Sequence, residues 1–182
     1  MSTIEPRTHE LKDGRILFIR EATAEDAHAV LDYVQAISSE SDFLTFGPGE
    51  FDLTEAQEMD FLCKCRESDN QLYIVGWVAD QIVSTLSFSA GHRPRVRHSG
   101  EFGLSVRKPY WGLGIGSFML DALIDWARTG QIIKKINLHT RTDNQRAIAL
   151  YMRKGFVIEG TIRKGIFLHG EYFDHYWMGL EL

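Results

Sequence analysis

The run that best suits chemistry lies between Val106 and Ser117, where Trp111-Gly112-Leu113-Gly114-Ile115-Gly116 reads as a glycine-rich turn joining a strand to a helix. In such a turn the N–H groups of Gly114, Ile115, Gly116 and Ser117 can point into one concavity, and the helix start adds partial positive charge. Glycine permits positive φ and lets a ligand approach the main chain closely. That combination suits a pyrophosphate. The spacing is G-x-G-x-G, not G-x-G-x-x-G. The turn also follows three hairpin-like strands instead of opening a strand–helix–strand unit near the N-terminus. Both facts count against a dinucleotide site, and the lack of a following G-K-[ST] counts against a P-loop. Taken alone, the glycines are explained as well by tight strand–helix packing. The nearest positive charges along the chain are Arg107 and Lys108.

A second stretch changes the weight of the first. Thr142 to Tyr151 reads T-D-N-Q-R-A-I-A-L-Y and is followed by Lys154-Gly155-Phe156. The joint pattern V-x-x-x-Y-W-G-x-G-I-G and N-x-R-A-I-x-L-Y-x-x-x-G-F is far more specific than either half. On these residues the chain resembles the GNAT superfamily of acetyl-CoA-dependent N-acetyltransferases. The resemblance is carried by Glu101 to Gly160, and the order of elements from Arg15 to Leu180 is similar to that fold. Trp111 stands where the family more often has Arg or Gln, so a polar side chain is missing from the mouth of the turn.

The resemblance implies a division of labour. The strand Phe102-Gly103-Leu104-Ser105-Val106 splays from the next strand, Ile136 to Thr140, and the pantetheine arm of acetyl-CoA pairs with main-chain groups of Leu104 and Val106 by strand addition. The same N–H groups polarise the thioester carbonyl. The turn Trp111, Gly112, Leu113, Gly114, Ile115, Gly116 and Ser117 carries the pyrophosphate, and Asn144 contacts the arm. Tyr151 is the general acid for the leaving thiolate; it falls two helical turns from Asn144, on the same face. Without the resemblance, a Tyr beside Ile148 and Leu150 reads as core. Glu101, on the same strand face as Gly103 and Ser105, is the candidate general base, directly or through water. A solvent-facing strand carboxylate explains it equally well. His98 and Asp174 are weaker candidates.

For the amine acceptor the notable feature is Ser38 to Asp60, which holds Glu40, Asp42, Glu50, Asp52, Glu55, Glu58 and Asp60 and no Lys or Arg. An acidic funnel there attracts cationic amines; a solvated charged face accounts for the same residues. On the funnel reading, neutralising Glu50 and Asp52 raises KM for cationic acceptors.

These groups need a scaffold. His9 to Arg20 reads as a hairpin around Asp13-Gly14, after a loose tail over residues 1–7. Thr23 with Asp26 and Thr54 with Gln57 mark two helix starts, the second helix running to about Glu67. Ser38 to Phe51, with Gly47-Pro48-Gly49, reads as a loop. Strands follow at Gln71–Ala79, Ile82–Ala90 and Arg97–Val106, then a helix to about Arg128, a strand at Lys135–Thr140, a helix over Thr142–Lys154 stopped by Gly155, and strands at Phe156–Ile166 and Glu171–Leu180. The expected fold is a single-domain mixed α/β (α+β) layout spanning residues 1–182. With the resemblance it becomes a central, largely antiparallel sheet with one splayed strand pair and flanking helices.

Composition agrees with this. The 182 residues are 44% hydrophobic and 25% charged, and 20 Lys+Arg against 25 Asp+Glu give a net charge of −5. A mildly acidic chain argues against nucleic acid as main partner. No run of apolar residues is long enough to span a membrane, the start lacks a secretory pattern, and the two cysteines, Cys63 and Cys65, suit neither a disulfide nor a metal site. The expectation is a cytoplasmic enzyme using acetyl-CoA as cosubstrate and no metal, with a small-molecule or peptide amine as acceptor and a homodimer compatible with its class. An acyl-CoA-binding sensor without catalysis is the alternative, and a nucleotide-binding protein a third.

Overall fold

The computed structural model describes residues 3–182. Eight strands form one sheet: β1 Arg7–Glu10, β2 Ile16–Glu21, β3 Gln71–Val78, β4 Gln81–Ala90, β5 Ser99–Val106, β6 Lys135–Arg141, β7 Val157–Leu168 and β8 Glu171–Glu181. Their spatial order is β1-β2-β3-β4-β5-β6-β8-β7. All neighbours are antiparallel except β5 and β6. Short turns join β1 to β2, β3 to β4 and β7 to β8, two helices lie between β2 and β3, and the parallel pair needs a crossover, here the helix α3 Ile115–Gly130. The fold class is therefore the mixed α/β arrangement expected.

Three more helices flank the sheet: α1 Ala27–Ser38, α2 Glu55–Glu67 and α4 Gln145–Arg153. Both helix-start signals are used. The Asp26 carboxylate accepts from the Thr23 N–H at 2.7 Å and holds Arg20 through two bonds, while a short 3-10 turn precedes α1. At α2, Thr54 and Gln57 satisfy each other's backbone N–H groups, a reciprocal cap that fixes where the helix begins.

Alternation along the strands divides the core into two layers. On one face Leu17, Ile19, Leu72, Ile74, Leu86, Phe88 and Phe102 pack with Met119, Leu120 and Leu123 of α3 and with Tyr151 of α4. On the other, Val75 and Ile82 pack with Val30, Tyr33, Val34 and Ile37 of α1 and Leu62 of α2. The expected loose tail is corrected where it is described: Ile4 is buried, its N–H donates to Glu21 Oε1 at 3.0 Å, and Arg7 already belongs to β1. Met1 and Ser2 lie outside the described residues. No helix among them is long and apolar enough to cross a membrane.

Candidate active site

The strands β5 and β6 pair only at Ser99–Lys135, Gly100–Ile136 and Glu101–Asn137. Beyond that point β6 stays with β8, while β5 stays with β4 as far as Val106. A wedge opens between them. Antiparallel pairing fixes which main-chain groups face it. The Arg107 N–H donates to Val83 O at 2.9 Å, across the Ser84–Val106 pair. Residues whose groups bond to β4 alternate with residues whose groups point away, so the N–H and C=O of Leu104 and Val106 face the wedge. The Val106 carbonyl is taken by the indole of Trp111, whose Nε1–H donates to it at 2.6 Å.

The strand then runs through Lys108–Tyr110, a single 3-10 turn, into the glycine turn. Gly112 and Gly114 hold φ of 84° and 96°, values a β-carbon opposes. Gly116 sits close to its neighbours for another reason: a Cβ there would lie 3.1 Å from Leu150 Cδ2, tight enough that the leucine must shift, and 3.7 Å from Leu104 Cδ2. The N–H groups of Gly114, Ile115 and Gly116 have no backbone acceptor among the described residues, as expected for a helix start. Ser117 departs from expectation, because its N–H donates to Gly114 O at 3.0 Å inside the first turn.

The charge at this turn also comes from elsewhere. Arg107 is spent on Glu40 at 2.7 Å, and the Lys108 N–H donates to the same carboxylate. Arg146, in the first turn of α4, instead lies over the Trp111 ring, 5.4 Å from guanidinium carbon to ring centre. It makes no ion pair among the described residues and lines the cleft, as does Lys12. Its clue was the R of the N-x-R-A run, two residues after Asn144, but only the packing of α4 on the turn brings it there.

Wedge and turn open into one cleft of about 1380 Å³. Tyr151 lines it at the point where the strands part. Its ring packs edge-on against Phe102 at 5.8 Å and Phe156 at 6.0 Å. It is 8% exposed, and its hydroxyl has no hydrogen-bond partner among the described residues. Burial pushes the phenol up to about 12. Asn144 caps α4, its Oδ1 accepting from Ala147 N–H at 3.3 Å, and it also lines the cleft.

Glu101 borders the cleft on the opposite sheet face from Phe102. Its carboxylate is 2.5 Å from His139 Nδ1. His139 in turn packs edge-on against Trp177 and His175. His139 was missed in the sequence; in Lys135–Arg141 it is one polar residue among Lys135, Asn137, Thr140 and Arg141, so nothing local singles it out. His98 and Asp174 do not line the cleft, and Asp174 accepts from Lys164 N–H.

The acidic funnel is corrected. Glu50 accepts from Gly47 N–H within its own loop, Glu40 serves Arg107, and neither Glu50 nor Asp52 lines the cleft. Of the seven acids, Glu58 alone does. The loop after α1 is held by Arg141, which is buried, stacks on Phe173 at 3.7 Å, pairs with Asp143 and donates to Asp42 O. Among the described residues no group of three or more His, Cys, Asp and Glu is placed to hold a metal ion.

Comparison with known proteins puts this geometry in context. The model of the acetyltransferase (GNAT) family matches residues 32–156. A crystal structure of an acetyltransferase of GNAT family from Streptococcus pneumoniae is 34% identical, with a TM-score of 0.89 over 91% of this chain and 99% of that one. The L-amino acid N-acetyltransferase AaaT of Escherichia coli (strain K12) is 31% identical over 105 residues, 58% of this chain and 65% of that protein. The spermidine N(1)-acetyltransferase of Vibrio cholerae is 30% identical over 79 residues, 43% of this chain and 46% of that protein. The match thus spans less than two thirds of either curated relative.

Proposed function

The chain belongs to the acetyltransferase (GNAT) family, and from that premise we propose that it moves an acetyl group from acetyl-CoA to a primary amine by direct attack in a ternary complex. The observation that carries the reading is the wedge. The N–H and C=O of Leu104 and the N–H of Val106 face a cleft that ends in a helix start, and Arg146 and Lys12 line the same cleft.

In this reading the pantetheine arm adds as a short strand against β5, and the pyrophosphate rests on the N–H groups of Gly114, Ile115 and Gly116 under the Arg146 guanidinium. Trp111 has a different part from that of a phosphate ligand. Its indole occupies the Val106 carbonyl and its ring carries Arg146, so it shapes the mouth of the turn.

The amine nitrogen, neutral when it reacts, attacks the thioester carbonyl carbon, and the carbonyl oxygen becomes an oxyanion that a wedge-facing N–H of β5 stabilises. Glu101 and His139 act as one base. The carboxylate orients the ring through Nδ1–H, which leaves Nε2 to accept the proton the attacking nitrogen sheds. Collapse breaks the carbon–sulfur bond, and the thiolate takes its proton from Tyr151 across the wedge. A phenol held near 12 is protonated at neutral pH and has no competing acceptor. Proximity in the cleft supplies much of the acceleration.

The two curated relatives are named for different acceptors, an L-amino acid and spermidine, so similarity leaves the acceptor open. The test is thiol release from acetyl-CoA over a panel of primary amines, with the N-acetyl product identified by mass. Release with at least one amine is expected. Acetyl-CoA binding without release from any amine would leave an acyl-CoA sensor instead.

A further inference from the structure

Glu58 is the anomaly of the acceptor end. It is 2% exposed, yet its carboxylate has no hydrogen bond and no ion pair among the described residues. A buried carboxylate without a partner is costly, and such groups are paired as a rule. Its place in the first turn of α2 gives some relief from the helix start, but Glu55 in the same turn gains that in the open. Burial alone raises the Glu58 carboxyl above its ordinary range; burial first, and the Glu58 charge second, push the neighbouring Cys65 thiol up to about 11.

The carboxylate lines the same cleft as Glu101. Tyr73 lies close enough to feel its charge, Phe61 packs edge-on to Tyr73 at 5.9 Å, and Phe46 and Phe51, 5.5 Å apart, line the same cleft. Aromatic faces beside a carboxylate favour an organic cation. The cations that line the cleft are Lys12, Arg146 and Arg153, while its wall from Phe43 to Thr85 holds none. The cleft is thus polarised, positive where phosphates would sit and negative where an amine would.

The sheet register sets the span. Gly103 lies beside Ser87, and Ser87 beside Tyr73, so small residues floor the path from β5 to the aromatic corner on β3. Two strand spacings make that path roughly 10 Å long.

We infer that Glu58 is a subsite for a second ammonium group, and that the acceptor class is a diamine or polyamine. The inference rests on the acetyl-transfer reading only for which nitrogen reacts; the subsite is a matter of binding. An α-amino acid with no second amine would instead turn a carboxylate toward Glu58 or leave it unpaired.

The test measures binding apart from turnover. Calorimetry on the full chain compares 1,5-diaminopentane with pentylamine, in wild type and in Glu58→Gln. The diamine is expected to bind wild type at least about tenfold tighter, as for a hydrogen bond between charged groups. In Glu58→Gln that ratio should collapse toward one. Because both amines are measured on one preparation, a poorly folded variant lowers both and leaves the ratio, which guards the readout. Equal affinities in wild type, or an unchanged ratio in the variant, would overturn the subsite. Thiol release judges the parent reading separately: a diamine preference at Glu58 without release from any amine refutes transfer and leaves the subsite standing.

Discussion

Tyr151→Phe removes one oxygen from the point where the sheet opens and little else. The ring keeps its contacts with Phe102 and Phe156. The hydroxyl has no partner to lose, so the folded chain gains about 1 kcal/mol or nothing, and Tm rises by a few degrees at most. Turnover behaves differently. A positioned general acid contributes about 10²–10⁴ in rate, so kcat should fall at least about 100-fold, or roughly 2.7 kcal/mol of barrier, while acetyl-CoA affinity holds. The same phenol gives an alkaline signature. It titrates at about 12 in the fold against an ordinary 10.0, so the folded chain holds this proton more tightly than the unfolded one. The stability this carries is complete below pH 10 and is lost as pH rises from there toward 12, up to roughly 2–3 kcal/mol. The variant should lose less stability over that window. Thiol-release kinetics, calorimetry with acetyl-CoA and melts from pH 8 to 12 together make the test. Undiminished kcat removes Tyr151 as the acid; a kcat loss matched by a collapse of Tm makes it a core residue only.

Arg146→Ala should raise KM for acetyl-CoA about tenfold at low salt, as for a charge-assisted contact, and leave a donor cut back to acetyl-pantetheine unaffected; initial rates with both donors decide it. Gly116→Ala places a methyl against Leu150 and Leu104 and should cost about 1–3 kcal/mol, read as a lower Tm and weaker acetyl-CoA binding in the same sample. Glu101→Gln should lower kcat/KM about 100-fold, and His139→Ala should match it within a few-fold if the two act as one base; additive losses in the double variant would separate them.

How much of this was legible in the chain depended on whether the signal was local. Helix starts at Thr23 and Thr54 and the glycine turn are written in neighbouring residues and appear where the spacing places them, whereas the helix expected from Thr142 begins only after Asn144, which caps it. The opening of the sheet after Glu101 came from the family resemblance, not from periodicity. What failed to show was pairing across long separations. Nothing near Arg107 announces that Glu40 neutralises it, and nothing near His139 announces Glu101. The acids between Glu40 and Asp60 looked alike as a list of charges. The turn of α2 buries one of them and leaves most of the others to solvent or local partners.

The central claim is that the main chain of β5 receives the carrier arm in the wedge. Amide hydrogen exchange of Leu104 and Val106, followed residue by residue by NMR with and without saturating acetyl-CoA, addresses it most directly. The account predicts marked slowing at these two N–H groups and at Gly114 to Gly116, with little change along β1 and β2. Acetyl-CoA bound at saturation with exchange at Leu104 and Val106 unaltered would contradict it.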